Sequence, residues 1–229
     1  RIAAEGLCEV AVDGNNAYLF ELNSETDFVA KNEKFTALLA QIGEICVKNN
    51  CKTAEEVLAN GGEKLVVDAT ATIGEKISLR RVELVTKNDN QTFGVYKHMG
   101  GKIATVCVVE GNDAELAKDL SMHITATHPL YTSKADVPAD YLEKETHVQM
   151  ELAKNDEKLA GKPEAALAKI IEGKVNKQLK EICLLDQTYV KAEDGKQTVA
   201  QYVAEVAKAT GAKLSLKGFV RFETGEGIA

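Results

Sequence analysis

Alternation of apolar and polar residues near the amino terminus predicts a β-hairpin. The runs 8–12 and 17–22 both alternate, and the Gly/Asn-rich residues between them are typical of a tight turn. The same pattern returns at 93–99 and 103–109, joined by Gly100-Gly101. Because each hairpin is followed by a segment with helical periodicity, the sequence predicts two copies of a hairpin-and-helix unit.

Apolar residues three and four positions apart predict the helices. The clearest stripe runs from Phe35 to Cys46, and we expect Ser24 or Thr26 to cap the helix that carries it. Two short helices over 54–59 and 63–72 then precede a strand over 77–85. The remaining predicted elements are helices over 116–124, 138–156, 163–182 and 198–209, an extended segment over 184–190 and a closing strand over 214–223.

These elements predict an α+β fold with two related subdomains of antiparallel strands and packed helices, plus an inserted antiparallel helical hairpin. We expect residues 1–86 to form core subdomain N and residues 87–140 with 184–229 to form core subdomain C. Residues 141–183 would be the helical-hairpin insertion. The long parallel βαβ succession of a doubly wound enzyme is absent from the pattern.

Composition narrows the class of partner. The chain has 229 residues, 45% of them hydrophobic, which is typical of a globular protein. It carries 28 basic and 35 acidic side chains, for a net charge of −7, and an acidic balance disfavours direct binding of nucleic acid or an anionic membrane. Aromatic residues are only 5% and Trp is absent, which also disfavours a base-stacking surface.

The five cysteines predict a reduced, intracellular and specifically cytoplasmic protein. None of them forms a CxxC pair, and most lie among apolar neighbours, where a free thiol behaves as a small hydrophobe. The amino terminus shows no secretory pattern and no run of apolar residues is long enough to span a bilayer. Since the chain opens on Arg1 without a Met, we expect that a preceding segment has been removed.

No recognised catalytic or cofactor motif is present in the sequence, which predicts a binding protein rather than an enzyme, with no cofactor and no metal. His123 and His128 lie near the end of a helix and are expected to be a half-exposed helix residue and a loop residue. His98 lies at a predicted hairpin tip, where it is either a solvated turn residue or a contact to a partner. A Cys/His hydrolase using Cys107 or Cys183 is a disfavoured rival.

Phe28 allows two interpretations. It lies seven residues before Phe35 and fourteen before Ile42, so helical spacing places it on the core side. The alternative is an exposed aromatic residue at a helix start, which would be an anchor for a protein partner.

The octet Glu25–Asn32 resembles the Thr-Asp-Phe-Val-Ala-(Lys/Arg) signature of the elongation factor Ts family. Three further segments agree with that family in order and spacing. They are residues 73–77 leading to Arg80-Arg81, the Tyr96-Lys97-His98 hairpin, and residues 218–223 with Gly225-Glu226-Gly227.

The resemblance implies a guanine-nucleotide exchange factor for the translation GTPase elongation factor Tu. In the family, the Asp-Phe pair enters the nucleotide domain of the GTPase near its magnesium site, and the hairpin-tip His presses the same domain on the phosphate side. The partner-binding residues implied for this chain are Thr26, Asp27, Phe28, Val29, His98, Met99 and Gly100.

The resemblance also implies a role for the helical hairpin, which many family members carry as a coiled-coil or dimerisation module. A homodimer through residues 141–183 is therefore one expectation. A non-catalytic interaction scaffold that uses the same hairpin is the alternative function. Family members begin with a small three-helix domain, which is expected to be missing before Arg1.

Overall fold

The computed structural model describes residues 1–228, which form two compact units. The first unit contains residues 1–126 together with 210–228, and the second contains residues 127–209. Helices and antiparallel sheets occur together, as the α+β prediction required. Within these described residues, no helix combines the length and apolar character needed to cross a bilayer. The predicted division into two subdomains and an insertion stays a prediction.

The first sheet contains the predicted amino-terminal hairpin. Strand β1 (Glu5–Asp13) pairs antiparallel with β2 (Asn16–Ser24), and β2 pairs on its other side with β3 (Ser78–Thr86). The central strand β2 is almost entirely buried because both faces of the sheet are covered. The strand predicted over 17–22 is confirmed, but the alternation expected there is wrong: with both faces buried, the strand is nearly continuous in apolar residues.

The second sheet has the same strand order. Strand β4 (Gln91–His98) pairs with β5 (Ile103–Glu110), which pairs with β6 (Ser215–Glu223), and all pairs are antiparallel. Helix α5 (Ala114–Thr127) follows β5. A Cβ atom on Gly94 would lie 2.1 Å from the carbonyl oxygen of Ala117, so only glycine permits this close approach of helix and sheet.

Two apolar clusters hold the first unit together. One lies between the two sheets and combines Leu19 of β2 with Val106 of β5 and Phe222 of β6. The other covers the opposite face of the first sheet and is formed with helices α2 (Glu33–Asn49), α3 (Ala54–Val57) and α4 (Glu63–Ile73). A kink within residues 58–62 joins α3 to α4, where Asn60 and Gly61 leave the helical conformation and Gly61 has a φ of 102°.

The second unit is built mainly from α6 (Ala139–Lys154), α7 (Glu164–Ile182) and α8 (Val199–Thr210). Helices α6 and α7 share an apolar cluster that includes Ala153, Ile171 and Val175. The prediction of an extended segment over 184–190 is wrong at its start. Leu184–Asp186 is a 3₁₀ turn, because the amide of Asp186 bonds back to the carbonyl of Cys183 at 3.0 Å.

A buried carboxylate links distant parts of the first unit. Glu21 of β2 is completely buried, and its Oε1 accepts from Arg80 Nη1 at 3.1 Å and Arg81 Nε at 2.7 Å. Its Oε2 accepts from the Asn23 side chain at 2.8 Å and from the Gly225 amide at 2.7 Å. With donors on both oxygens, the buried charge is paired and hydrogen-bonded, which is the condition for placing it there.

The same cluster reaches the end of the chain through Glu226. Arg81 Nη2 donates to Glu226 Oε1 at 2.7 Å, Arg80 Nη2 donates to the Glu226 carbonyl, and the Arg81 guanidinium lies 3.8 Å from the Phe222 ring centre. Burial lowers the pKa of Arg81, but its bonds to Glu226 and Glu21 more than reverse that effect, so its pKa is raised. Arg81 therefore stays charged between two carboxylates.

A β-bulge allows two successive arginines to reach one carboxylate. Adjacent strand residues normally point to opposite faces of a sheet. Here Glu21 pairs with Arg81 and Leu22 pairs with Leu79, so Arg80 is an extra residue in β3. The bulge re-aims its side chain toward Glu21 beside that of Arg81.

Replacing the buried carboxylate is expected to be strongly destabilising. Glu21→Gln leaves two guanidinium groups without their shared anion, and we predict a loss of about 3 kcal/mol in the free energy of unfolding, measured by urea titration.

The matched control is Glu9→Gln, which removes a partly exposed pair with Lys97 at 2.9 Å and should cost less than about 1 kcal/mol. Equal losses for the two variants would contradict the structural role given to Glu21.

Candidate functional site

The first candidate surface is a one-turn helix that follows β2. Helix α1 (Asp27–Ala30) points its first two side chains into solvent, and Phe28 is 80% exposed. Its last two residues, Val29 and Ala30, are buried in the cluster beneath the first sheet. Of the two placements left open for Phe28, the core placement is therefore wrong and the exposed placement is correct, while its role as a partner anchor stays a prediction.

The error in placing Phe28 has a local cause. After α1 the chain leaves the helix at Lys31, and Asn32 begins the next helix by accepting a hydrogen bond from the Lys34 amide at 2.8 Å. The helical phase is reset at this cap, so spacing counted back from Phe35 does not apply to Phe28. Thr26 flanks α1, but its side chain does not cap the helix, and Asn32 caps α2 instead.

The segment before Asp27 is held by Glu75. One carboxylate oxygen accepts from the Thr26 hydroxyl at 2.6 Å, and the other accepts from the amides of Thr26 and Glu25 at 3.0 and 3.2 Å. The Thr26 carbonyl also accepts from the Ser24 hydroxyl at 2.8 Å. The backbone that leads into the exposed helix is thus fixed by side chains from two separate segments.

The second candidate surface is the turn between β4 and β5. His98, Met99 and Gly100 are all exposed, and Met99 is 70% exposed. The Gly101 amide bonds to the His98 carbonyl at 3.1 Å, and φ is positive at both residues between them, at 51° and 72°. A positive φ is unusual for a residue such as Met99 and stores backbone strain at this exposed tip.

This turn is anchored to β1. The Gly101 carbonyl accepts from the Cys8 amide at 2.7 Å, and a Cβ on Gly101 would lie 2.4 Å from the Cys8 carbonyl oxygen. The Thr224 amide donates to the Lys102 carbonyl at 2.8 Å, and Lys97 pairs with Glu9 at 2.9 Å. The tip is consequently held from both sides, with its side chains free to face solvent.

The two candidate surfaces, α1 with the residues that lead into it (the first turn) and the β4–β5 turn (the second turn), belong to the same unit. They are connected through β1. Cys8 bonds to the second turn, and Glu5, three residues earlier, pairs with Ser24 just before the first turn. Three residues of strand span about 10 Å. The predicted site residues are neighbours within each turn. Asp27 and Phe28 are exposed in the first turn, while Thr26 is bonded to Glu75 and Val29 is buried.

Sequence reasoning did not identify Glu75 or Gly101 as supports of these turns. Glu75 lies 49 residues from Thr26, and Gly101 lies 93 residues from Cys8, so neither contact leaves a local pattern. His123 was also misjudged, because it is fully buried rather than half-exposed. His128 is an exposed loop residue, as expected.

The cysteines have the environment of structural thiols. All five are free and buried. Burial raises the pKa of Cys8, Cys46 and Cys107 to about 12, and it also raises the pKa of Cys51 and Cys183. A nucleophilic cysteine requires a lowered pKa, so this environment argues against the Cys/His hydrolase. Over residues 1–228 no group of three His, Cys, Asp or Glu is placed to hold a metal ion.

The thiols are expected to resist alkylation in the folded protein. A rise from 9.0 to about 12 for Cys107 lowers the thiolate fraction about 1000-fold, and burial adds a steric barrier. At pH 7.5 we predict slow labelling by a small alkylating probe, with all five cysteines reacting rapidly in denaturant. Rapid labelling of one native cysteine, located by mass spectrometry, would contradict this prediction.

Two exposed turns on a firmly packed α+β unit are an arrangement typical of protein-binding domains, which carry their contact residues on turns held by a rigid scaffold. The sequence model of the family described as Elongation factor TS matches residues 25–226. Elongation factor Ts of Acholeplasma laidlawii is 51% identical over 100% of this chain and 76% of its own length. Elongation factor Ts of Lacticaseibacillus casei is 46% identical over 99% of this chain and 75% of its own length. The chain belongs to the elongation factor Ts family.

Proposed function

We propose that this protein is a guanine-nucleotide exchange factor that binds elongation factor Tu and promotes release of GDP by disturbing its magnesium and phosphate site. The observation that carries the proposal is the exposure of Phe28 on a turn whose backbone is fixed. A large aromatic side chain left in water has no stabilising role in the free protein. Rigid exposed aromatics are typical anchors of protein interfaces.

Phe28 acts as the wedge in this proposal, and the adjacent Asp27 supplies a carboxylate. Both side chains face solvent at the start of α1. In the GTPase, Mg²⁺ neutralises phosphate charge, so displacing the groups around it weakens the hold on GDP. A thousandfold weakening of GDP binding requires about 4 kcal/mol of coupling between this chain and GDP on the GTPase. The two anchored surfaces can each contribute part of that free energy.

The second turn provides the other contact. We infer that His98 presses the nucleotide domain on its phosphate side, with Met99 and Gly100 completing the contact. The exposure of all three residues and the anchoring of their turn to β1 support this role. Thr26 and Val29 support the first contact from below, because Thr26 bonds to Glu75 and Val29 packs in the core.

The predicted domain organisation and location complete the proposal. Residues 1–86 would form subdomain N, residues 87–140 with 184–229 subdomain C, and residues 141–183 the helical hairpin, in a cytoplasmic protein. Val148 and Leu152 are exposed four residues apart on one face of α6, and this apolar face supports self-association of two copies through the hairpin. Sedimentation velocity across a range of concentrations distinguishes such a homodimer from a monomer.

Removing the Phe28 ring is the most direct mutational test. We predict that Phe28→Ala lowers the stimulated rate of GDP release from elongation factor Tu by about 30-fold, the equivalent of a hot-spot loss of about 2 kcal/mol. The measurement is stopped-flow release of a fluorescent GDP analogue. Because Phe28 is exposed, the melting temperature should not change.

Val67→Ala is the matched control, since Val67 is 59% exposed on α4 and belongs to neither turn. Its stimulated rate should equal that of the unsubstituted chain. Full stimulation by Phe28→Ala would overturn the role of the ring. Binding to the GTPase without any change in GDP release would instead support the scaffold alternative.

His98→Ala is expected to have a smaller effect. An imidazole ring offers less apolar area than the phenyl ring of Phe28, so we predict a loss of about 3- to 10-fold in the stimulated rate, in the range of an ordinary interface contact. Thermal unfolding followed by circular dichroism should be unchanged because His98 is exposed. A fall of many degrees in the melting temperature would point to a structural histidine.

A further inference from the structure

We propose that Glu75 is a positioning residue for exchange: it fixes the direction in which Asp27 and Phe28 face the GTPase. The inference rests on the function proposed above and adds a residue to it. Glu75 itself is half-buried and lies about 50 residues away in sequence from the segment that it holds. Its influence on the partner passes through the backbone of residues 25 and 26.

The hydrogen bonds of Glu75 are all directed at the entrance to α1. Its two carboxylate oxygens accept from the Thr26 hydroxyl, the Thr26 amide and the Glu25 amide, at 2.6, 3.0 and 3.2 Å. The contact is reciprocal, because Glu25 Oε1 accepts from the Lys76 amide at 3.4 Å. Three donors on one carboxylate fix both the position and the rotation of the preceding backbone.

Helix α1 needs this external support. It has only four residues, from Asp27 to Ala30, and a single helical turn is not stable by itself in water. Val29 and Ala30 hold its far end in the core, while Glu75 holds its near end. The two exposed residues between these fixed points are therefore presented in one orientation.

The end of α4 aims the carboxylate. Helix α4 ends at Ile73, and Gly74 follows with φ of 85°, a left-handed conformation that favours glycine. The Gly74 amide bonds to the Thr70 carbonyl at 2.9 Å, and the Ile77 amide bonds to the Thr70 hydroxyl at 3.2 Å. Glu75 thus lies in a turn that is held by hydrogen bonds before it, at Gly74, and after it, at Ile77.

Two substitutions of Glu75 test whether its hydrogen bonds position the backbone before α1. Glu75→Ala removes all three acceptors, and we expect about a tenfold loss in the stimulated rate of GDP release, since small misplacements of a functional group cost rate. Glu75→Gln keeps an oxygen for the amides and an NH₂ group that can donate to the Thr26 hydroxyl. It should retain the rate within about threefold. Glu63→Ala, an exposed carboxylate at the other end of α4, is the matched control and should have no effect.

The decisive readout combines Glu75→Ala with loss of both presented side chains. If Glu75 acts through Asp27 and Phe28, then Glu75→Ala added to a chain that already carries Asp27→Ala and Phe28→Ala should lower the rate by less than about twofold further. Full multiplication of the two losses would overturn the proposal. So would an equal loss for Glu75→Gln and Glu75→Ala, because a positioning role requires rescue by the isosteric amide.

A measurement on the free chain distinguishes failure of this proposal from failure of the exchange function. Amide hydrogen exchange at Glu25 and Thr26 should be at least tenfold faster in Glu75→Ala, with α2 unchanged. Unprotected amides in the unsubstituted chain would overturn the positioning role directly. An unsubstituted chain with protected amides that fails to accelerate GDP release would overturn the exchange function and, with it, the role of Glu75 in exchange.

Discussion

Glu21 carries a negative charge in a fully buried position, and the arrangement of the first unit depends on how that charge is satisfied. Its oxygens accept from Arg80, Arg81, Asn23 and the Gly225 amide, which joins β2 to β3 and to the segment after β6. A buried ion pair contributes little net stability relative to apolar packing, but leaving one member unpaired is costly. The cluster ties the bulged strand β3 and residues 225–226 to β2 through directional hydrogen bonds.

The two exposed turns depend on this framework. Strand β1 pairs with β2 beside Glu21 and, through Cys8, carries the turn that displays His98. The first turn departs directly from the end of β2 and is tied to Glu75. Because the backbone of both surfaces is already fixed, binding of a partner there costs little backbone ordering entropy, which favours affinity.

Much of the fold could be predicted from the sequence, and the failures share a physical reason. Alternation and helical spacing are local signals, so they placed the strands and the long helices within a few residues. Phe28 was misplaced because a one-turn helix and a new cap reset the helical phase. The pairing of Glu21 with the two arginines spans about 60 residues, and Gly225 lies 204 residues away, so a single sequence contains no local trace of either contact. The resemblance singled out Arg80-Arg81 and Gly225-Glu226-Gly227, and the structure shows that these segments meet. Arg80, Arg81 and Gly225 bond to the buried Glu21 carboxylate, and Glu226 bonds to both arginines.

In the proposed exchange function, this chain and GDP oppose one another on the same GTPase, and thermodynamic linkage allows that opposition to be measured from either side. The direct measurement is the affinity of the chain for elongation factor Tu by titration calorimetry, once with nucleotide-free GTPase and once with the GDP–Mg²⁺ form. We predict that the chain binds the GDP form much more weakly, by the same factor by which the chain weakens GDP binding. Equal affinities for the two forms would contradict it.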